Sequence, residues 1–529
     1  MKMKRKILDI IGKVDYPYTC AIVNNQRMGF LDEVEESAKI TLLTVKEGEG
    51  RRTYERTLAF LASFCIRKIN KKYRVHIKHS YGDALYGEIE SAKDVEKAIQ
   101  ELKNCMKKVV IEDKKIDKHD LTKEEAISRL EIESRFDDIR LLKYLSKDTI
   151  PLYFIDGYYV YFAGPLLPRT GMLKVFDIIP YKPGFLILLP DRNNPRELAN
   201  VAQRRKLFET YQESKKWVES LNVRYVGDLN EAIVNHQISK VIKIQEALHE
   251  KKISDIADMI KQRGARIVLI AGPSSSGKTT SAKRLEIQLR VNGFSTTVIS
   301  TDDYFVDRDK TPLSEDGKPD YDCFDAINHN LLQEQLLLLL EGKEVQIPRY
   351  NFYTGKSEKG RKIKLEKNGI LIVEGIHGLN PRLTERIKAK DKFKVYVSAL
   401  TQLNIDRINR IPTRDTRLIR RIVRDSHFRG ISAAETIRRW PTVIRGEERY
   451  IFPYQENADV MFNSALVYEL AVLRVRAEVA LRAIDYKEKQ YGEALRLLNF
   501  LSHFLPLITE EVPPTSILRE FIGGSSFKY

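Results

Sequence analysis

The sequence predicts an α/β protein in which a mainly parallel, doubly wound sheet is preceded by smaller α+β modules. Three observations support this fold class. Apolar, β-branched runs alternate with helical stretches after residue 264, a glycine-rich loop joins the first such run to a helix, and the first 225 residues mix short strand-like and helical segments. A chain of 529 residues is long enough for three or four domains with separate cores.

Local patterns divide the chain. Strand-like runs at 21–24 and 40–45 flank polar turns, and residues 51–70 have helical spacing. Further strand-like runs end at 189, after which helical spacing resumes and continues as an amphipathic stretch at 228–262. We therefore expect a small module at 1–48, a second α+β domain at 49–225, a helical connector at 226–262, a nucleotide-binding domain at 263–486 and a packing extension at 487–529.

The carboxyl-terminal half alternates strand and helix. Residues 267–270, 296–300, 369–373 and 394–397 are apolar runs separated by helical stretches, as in a parallel sheet with helices on both faces. Ligands of such sheets bind at the carboxyl ends of the strands. We therefore expect the functional residues just beyond these runs.

The composition narrows the partners and the compartment. The net charge of +17 suits anionic partners such as nucleotides, nucleic acid or acidic lipid, and does not choose among them. The four cysteines lie far apart without a Cys-x-x-Cys pair, which predicts neither a disulfide framework nor a cysteine zinc site. Since no signal peptide and no apolar run of about 18 residues occurs, we expect a soluble, cytoplasmic protein without membrane contact.

A phosphate-binding loop is the strongest motif. Residues 272–279 read GPSSSGKT, a full match to Gly-x-x-x-x-Gly-Lys-Ser/Thr, with an apolar run before it and a helical stretch after it. Lys278 is predicted to reach the β and γ phosphates of a nucleoside triphosphate, and the Thr279 hydroxyl to bind Mg²⁺. The alternative is a Gly/Ser surface turn. The residues of this segment predicted to bind ATP are Gly272, Pro273, Ser274, Ser275, Ser276, Gly277, Lys278, Thr279 and Thr280.

Two acidic residues follow neighbouring strands. Asp302 comes after the second predicted strand and Glu374 after the third, so both should converge on the loop. Phosphoryl transfer needs metal ligands and a residue that orients the acceptor and takes its proton, and these two carboxylates suit those roles. The alternative for each is a helix cap or a solvated turn.

A basic helix follows the sheet. Arg417, Arg421 and Arg424 are spaced by four and three residues, which places three guanidinium groups on one helical face. Guanidinium groups match phosphate oxygens in pairs, so this helix could close over a nucleotide. A solvated or RNA-facing helix is the alternative.

The order of these motifs resembles the uridine kinase and phosphoribulokinase superfamily. The likeness rests on residues 272–280, 299–305, 321–322, 347–352, 372–376 and 420–430. It implies a P-loop kinase fold, with ATP and Mg²⁺ as cofactors. It also implies roles for particular residues: Asp302 as general base, with Lys278, Arg424 and Arg429 also catalytic, Thr279, Glu374 and Asp302 for Mg²⁺, Asp322 and Tyr350 for the acceptor, and Arg421 for ATP.

The sequence departs from uridine kinases at the acceptor site. Five residues after the motif tyrosine, where those enzymes carry a histidine that reads the pyrimidine, this chain has Gly355, and the aspartate of the motif is Asn351. The acceptor therefore stays open between a nucleoside and a sugar or sugar phosphate.

The first 225 residues resemble the amino-terminal region of threonyl-tRNA synthetase, a ubiquitin-like TGS module followed by an editing-type domain. The likeness rests on residues 40–45, 56–61, 86–90 and 164–171. The four places that hold metal ligands in that family are Arg56, Phe60, Phe162 and Leu166, none of which suits zinc here. We therefore expect no zinc and no hydrolytic editing, and either an RNA-binding or regulatory role or a structural platform.

Together these patterns predict an ATP- and Mg²⁺-dependent kinase that phosphorylates a hydroxyl of a small sugar-containing molecule, most simply a nucleoside. A sugar or sugar-phosphate kinase is one alternative, and an ATP-switched RNA-binding regulator is another. The absence of an Asn-Lys-x-Asp motif disfavours a GTPase. Weak RNA contact through the basic amino-terminal half and a homo-oligomer remain open, and the apolar end at 513–525 is expected to pack without supplying a catalytic residue.

Overall fold

The computed structural model describes residues 4–314 and 317–528, so the outermost residues of the predicted ranges 1–48 and 487–529 lie outside the described part. The first range forms a small antiparallel sheet in the order β3-β2-β5 beside the pair β1-β4. Its elements are β1 (Lys4–Lys6), α1 (Ile7–Ile11), β2 (Tyr18–Val23), β3 (Gln26–Met28), β4 (Glu33–Glu35) and β5 (Ile40–Thr44).

Residues up to 220 add two antiparallel sheets, in the orders β11-β12-β7-β6 and β10-β9-β8. The helix predicted at 51–70 is present as α2, and its apolar stripe is buried. The elements are α2 (Gly48–Ile69), β6 (Arg74–Ser80), β7 (Ala84–Glu90), α3 (Val95–Glu112), β8 (Asp117–Thr122), α4 (Lys123–Ile132), α5 (Phe136–Lys143), β9 (Thr149–Ile155), β10 (Tyr158–Tyr161), β11 (Asp177–Tyr181), β12 (Gly184–Leu188) and α6 (Arg205–Ser220).

The connector is broken where the sequence predicted one amphipathic stretch. It consists of α7 (Val226–Val234) and α8 (Ile238–Arg263). His236 between them has a φ of +56°, a left-handed conformation that an α-helix cannot contain. The apolar periodicity continues across the break, which is why the sequence did not reveal it.

The carboxyl-terminal half contains the predicted parallel sheet. Its strand order is β14-β17-β13-β18-β19, and all its strand pairs are parallel. The elements of this half are β13 (Ile267–Ala271), α9 (Lys278–Val291), β14 (Ser295–Ser300), α10 (His329–Leu340), β15 (Val345–Asn351), β16 (Lys356–Ile363), β17 (Gly369–Glu374), β18 (Lys392–Ser398), α11 (Thr413–Phe428), α12 (Ala433–Tyr450), β19 (Val460–Asn463), α13 (Glu469–Arg482), α14 (Tyr491–Leu501) and α15 (Arg519–Ile522).

Successive residues of the central strand enter different cores, as expected for a sheet covered on both faces. Val268 and Ile270 pack with α8, α9 and α13, whereas Ile267 and Leu269 pack with α10. The sequence missed β19 and the antiparallel hairpin β15-β16. The doubly wound α/β prediction is confirmed.

The two halves share contacts. The larger core runs without interruption from α4 and α5 through the connector to the parallel sheet. The loop between β18 and α11 docks on the amino-terminal half, where the Ile77 amide donates to the Arg407 carbonyl at 2.8 Å and the Arg407 guanidinium pairs with Asp137 at 2.7 Å. Within residues 4–314 and 317–528, the helices are all too short or too polar to cross a membrane.

Candidate active site

The phosphate-binding loop lies between β13 and α9, where its motif requires it. Every residue of β13 is buried, and α9 begins at Lys278, so the amino end of the helix faces the loop. A side chain at Gly272 would lie 2.0 Å from the carbonyl oxygen of Val397 in β18, so only glycine fits there. Gly277 has a φ of +84°, which also favours glycine.

Helices α11 and α12 hold the loop from outside. Arg417 donates to the Ser274 carbonyl at 3.1 Å and forms an ion pair with Glu447, and the Glu447 carboxylate also accepts from the Ser274 amide at 3.1 Å. Arg421 donates to the Ser274 hydroxyl at 2.7 Å. These contacts fix the loop. The sequence predicted Arg417 and Arg421 to bind the nucleotide, and Glu447 was not singled out.

One expectation for the basic helix needs correction. Arg417 is on the predicted face but is only 1% exposed, because its guanidinium is paired with Glu447 and lies over the Trp440 ring. It does not line the cavity and cannot be delivered to a nucleotide without breaking that buried pair. Arg417 therefore supports the loop, while Arg421 and Arg424 line the cavity.

A buried carboxylate organises the other arginines. Asp425 accepts from Nε and Nη2 of Arg424 at 2.9 and 2.8 Å. It also lies 3.3 Å from Arg421 and 3.8 Å from Arg429. Arg421, Arg424 and Arg429, which we call the lid arginines, are thus gathered around one anion at the end of α11, which we call the lid helix; Asp425 was not predicted. Its place, four residues after Arg421 and beside Arg424, was an available signal.

The two predicted acidic residues meet at adjacent strand ends. Ser300 of β14 is paired with Glu374 of β17 in the sheet register, and the Ser300 hydroxyl donates to the Glu374 carboxylate at 3.0 Å. Asp302 follows in the next turn, where its amide donates to the Ser300 hydroxyl at 3.3 Å. Glu374 is the last residue of its strand rather than the first residue beyond it.

Burial and charge shift the proton equilibria of this group. Burial, together with the neighbouring Asp302 carboxylate, raises the pKa of Glu374 to about 7. The enclosing cavity wall also raises the pKa of Asp302, although its side chain opens to the cavity solvent, and Lys278 and two lid arginines oppose this shift. Burial lowers the pKa of Lys278, against the attraction of Glu374 and Asp302. Perturbed groups of opposite charge clustered in this way are typical of an active site.

A cavity of about 1150 Å³ joins these groups. The predicted residues that line it are Ser274, Ser275, Ser276, Gly277, Lys278, Thr279, Asp302, Asp322, Glu374, Arg421, Arg424 and Arg429. In the described part of the chain, the predicted residues outside its wall are Gly272, Pro273, Thr280 and Tyr350. Thr279, Asp302 and Glu374 offer hydroxyl and carboxylate oxygens on one cavity wall, the donor types that Mg²⁺ prefers, so these residues fit that ion.

Asp322 also lines the cavity. Burial, with a further effect from Asp320, raises the pKa of Asp322 to about 6. A side chain at residue 446 would lie 2.7 Å from the Asp322 Cβ, so Gly446 of α12 allows the close approach. Tyr350 does not line the cavity. Its ring packs against the rings of Phe305 and Phe352, which do line it. A direct contact between Tyr350 and an acceptor is therefore not supported.

The four positions that the synthetase resemblance would assign to metal ligands also come together. Phe60 and Phe162 are buried with their ring centroids 6.2 Å apart, and Leu166 joins the same core. Arg56 donates to the Pro165 carbonyl at 3.0 Å. Three of the four positions therefore hold buried apolar side chains, and a separate cavity of about 220 Å³ has Arg56 in its wall.

Residues 267–471 match the model of the Phosphoribulokinase / Uridine kinase family. A uridine kinase of Macrococcus caseolyticus is 32% identical over 197 residues, which cover 37% of this chain and 86% of that protein. A uridine kinase of Halalkalibacterium halodurans is 30% identical over 223 residues, which cover 41% of this chain and 97% of that protein. A solved structure described as a possible uridine kinase from Bacillus stearothermophilus covers 40% of this chain and 100% of its own at 22% identity, with a TM-score of 0.27.

Proposed function

Because the chain belongs to the phosphoribulokinase and uridine kinase family, we propose that it is an ATP- and Mg²⁺-dependent kinase that phosphorylates a hydroxyl of a nucleoside. The observation that carries this proposal is the single cavity shared by the phosphate-binding loop, two strand-end carboxylates and three lid arginines. A phosphoryl transfer site needs these three components within reach of one another.

The residues divide the chemistry among them. Asp302 takes the proton of the acceptor hydroxyl as the acceptor oxygen bonds to the γ-phosphorus and the bond from that phosphorus to the departing ADP oxygen breaks, and its raised pKa makes it a stronger base once ionised. Lys278 and the arginines around Asp425 stabilise the charge on the transferring group and on ADP. Mg²⁺, held by Thr279, Asp302 and Glu374, would neutralise phosphate oxygens when bound. Asp322 binds the sugar end of the acceptor by accepting hydroxyl hydrogens.

A sugar or sugar phosphate is the second candidate acceptor, and one observation favours it. Gly355 stands where uridine kinases carry the histidine that reads the pyrimidine, and a side chain there would lie 2.6 Å from Nε of Arg308. Arg308 donates to the Phe352 carbonyl at 2.9 Å and is exposed. Neither Gly355 nor Arg308 lines the cavity, so the observation that favours this candidate is the missing histidine itself.

For the amino-terminal half we propose a threonyl-tRNA synthetase-like scaffold that has lost its metal site and serves as a platform for the kinase half. The buried Phe60, Phe162 and Leu166 support the loss of a metal site, and the shared core supports the platform role. We also propose a cytoplasmic location, since the reaction consumes ATP and the four cysteines are unpaired.

The test is acceptor-dependent ADP release across a panel of nucleosides, sugars and sugar phosphates, with each product identified by mass. We expect at least one nucleoside to be phosphorylated in proportion to the ADP formed. Turnover with a sugar phosphate alone would favour the second candidate. ADP release that no acceptor stimulates but that RNA changes would replace the kinase with an RNA-binding regulator.

A further inference from the structure

The end of the chain is anchored beside the phosphate-binding loop. We call residues 512–527 the C-terminal segment; it includes α15 and lies beyond the residues that match the family model. Ser516, Ile517, Leu518 and Phe521 in it are completely buried. The Phe521 ring lies 5.2 Å from the Arg420 guanidinium of α11, so the segment packs against the lid helix.

The C-terminal segment contacts the loop at two points. A side chain at residue 277 would lie 2.6 Å from Cγ2 of Ile517, so Ile517 rests directly on Gly277. The Thr280 hydroxyl donates to the Glu520 carboxylate at 2.6 Å. Thr280 follows the predicted Mg²⁺ residue Thr279 in the first turn of α9, and the amides of that turn are the donors that bind phosphate.

The same segment forms one wall of the large cavity. Glu520, Gly523 and Phe527 are among the residues that line it. Gly523 faces Phe428 at the end of the lid helix, where an added Cβ would lie 3.3 Å from the ring. Arg519 donates to the carbonyls of residues 509, 512 and 523, which fixes the shape of the segment from within.

A carboxylate next to a site for a polyanionic nucleotide needs an explanation, since it repels phosphate across the cavity. The bond from Thr280 supplies one. Donation of the hydroxyl hydrogen to Glu520 orients the Thr280 side chain and ties the first turn of α9 to the buried C-terminal segment. A charged acceptor makes this bond stronger than a neutral one would.

We propose that Glu520 is a positioning residue for nucleotide binding and that the C-terminal segment is one wall of the nucleotide site. Glu520 holds Thr280, and through it the first turn of α9, in the arrangement that receives the phosphates. The inference rests on the proposed function only in that the loop binds a nucleoside triphosphate. It does not depend on the identity of the acceptor.

The test measures the affinity of the full chain for a fluorescent ATP analogue, with and without Mg²⁺. Glu520→Ala should weaken binding by about tenfold or more, the range for a lost hydrogen bond to a charged group. Glu520→Gln should weaken binding less, by about threefold, because its amide oxygen accepts the same bond without the strengthening charge. Glu511→Ala, which removes an exposed carboxylate just before the segment, is the matched control and should change nothing.

Three results would overturn the inference: unchanged or tighter binding by Glu520→Ala, equal weakening by both Glu520 variants, or a loss confined to samples with Mg²⁺, which would make Glu520 a metal ligand. If Glu520→Ala lowers thermal stability, Thr280→Val breaks the same bond from the other end, and Thr280→Ser should restore it. If the protein binds the analogue but phosphorylates no acceptor, the proposed function is refuted, and the measured affinities of the Glu520 variants alone decide the role of Glu520. A protein that does not bind the analogue refutes both.

Discussion

Removing the charge of Asp425 should disorganise the arginines of the lid. The Asp425 side chain is 2% exposed and accepts two hydrogen bonds from Arg424, with Arg421 and Arg429 also within ion-pair distance. Asp425→Asn keeps the volume of the side chain. Its amide oxygen can take the place of Oδ1, which accepts both Arg424 bonds, but without the negative charge, and its NH₂ group then stands in the place of Oδ2 and offers Arg421 no acceptor.

The magnitude follows from these contacts. One hydrogen bond between charged groups contributes about 1.5 to 3 kcal/mol. The attraction of Arg429 adds little, because its side chain is 54% exposed and solvent screens it. At about 1.4 kcal/mol for each tenfold change, kcat/KM for ATP should fall by about tenfold to a hundredfold.

The assay is steady-state kinetics with ATP varied at saturating acceptor, accompanied by thermal unfolding of each variant. The control is Glu448→Gln, which removes a partly exposed ion pair between Arg414 of α11 and α12. An exposed pair contributes about 0 to 1 kcal/mol, so this variant should stay within about fivefold. A folded Asp425→Asn protein with the kcat/KM of the original would refute the role assigned to Asp425.

The remaining predictions concern the loop, the base, a buried histidine and the amino-terminal half. Lys278→Ala should lower kcat by about a thousandfold without changing the melting temperature, because a fixed charge on the transferring phosphoryl group is lost; unchanged ADP production by the folded variant would contradict the kinase proposal. Asp302→Asn should lower acceptor phosphorylation by at least about a hundredfold while the fluorescent ATP analogue still binds, and full activity would reduce Asp302 to a structural turn. Burial lowers the pKa of His249 to about 3, so only the unfolded chain takes up a proton at this residue as the pH falls below about 6.5. Between pH 7 and pH 5 this protonation should lower the free energy of unfolding by about 2 kcal/mol. Denaturant titrations at the two pH values should show a correspondingly smaller loss for His249→Phe, and an identical loss would exclude the histidine as the cause. The purified protein should contain no stoichiometric zinc by elemental analysis and should not hydrolyse mischarged tRNA in a deacylation assay. Any RNA binding by residues 1–225 should be weak and steeply salt-dependent when it is measured at low and high salt. Tight RNA binding at high salt would favour the RNA-regulator alternative.

The parallel sheet could be predicted because strands buried on both faces appear as continuous apolar runs. Four of its strands were located this way, whereas β19 has four residues, too few to stand out from the surrounding helices. The break in the connector depends on the backbone conformation of His236, which apolar periodicity does not encode. Boundaries set by a single backbone angle are therefore harder to predict than buried strands.

The candidate site could be predicted where local motif and sheet topology agree, as at Lys278, Asp302 and Glu374. The roles of supporting residues depend on partners distant in sequence. The sequence predicted Arg417 to bind phosphate. Its actual partner, Glu447, lies on another helix 30 residues away, so the local sequence does not show the pair. The role of Glu520 could not be predicted, since the Thr280 hydroxyl that donates a hydrogen bond to it lies 240 residues earlier in the chain.

We propose that this cavity transfers the γ-phosphoryl group of ATP to a hydroxyl of a small acceptor. The most direct test is a single-turnover reaction with γ-labelled ATP, Mg²⁺ and a nucleoside mixture, with the original protein and Asp302→Asn side by side. The label should move to a nucleoside in an amount equal to the ADP formed, and Asp302→Asn should slow this transfer by at least about a hundredfold. Label recovered only as inorganic phosphate, at a rate that neither the nucleosides nor the substitution changes, would contradict this proposal.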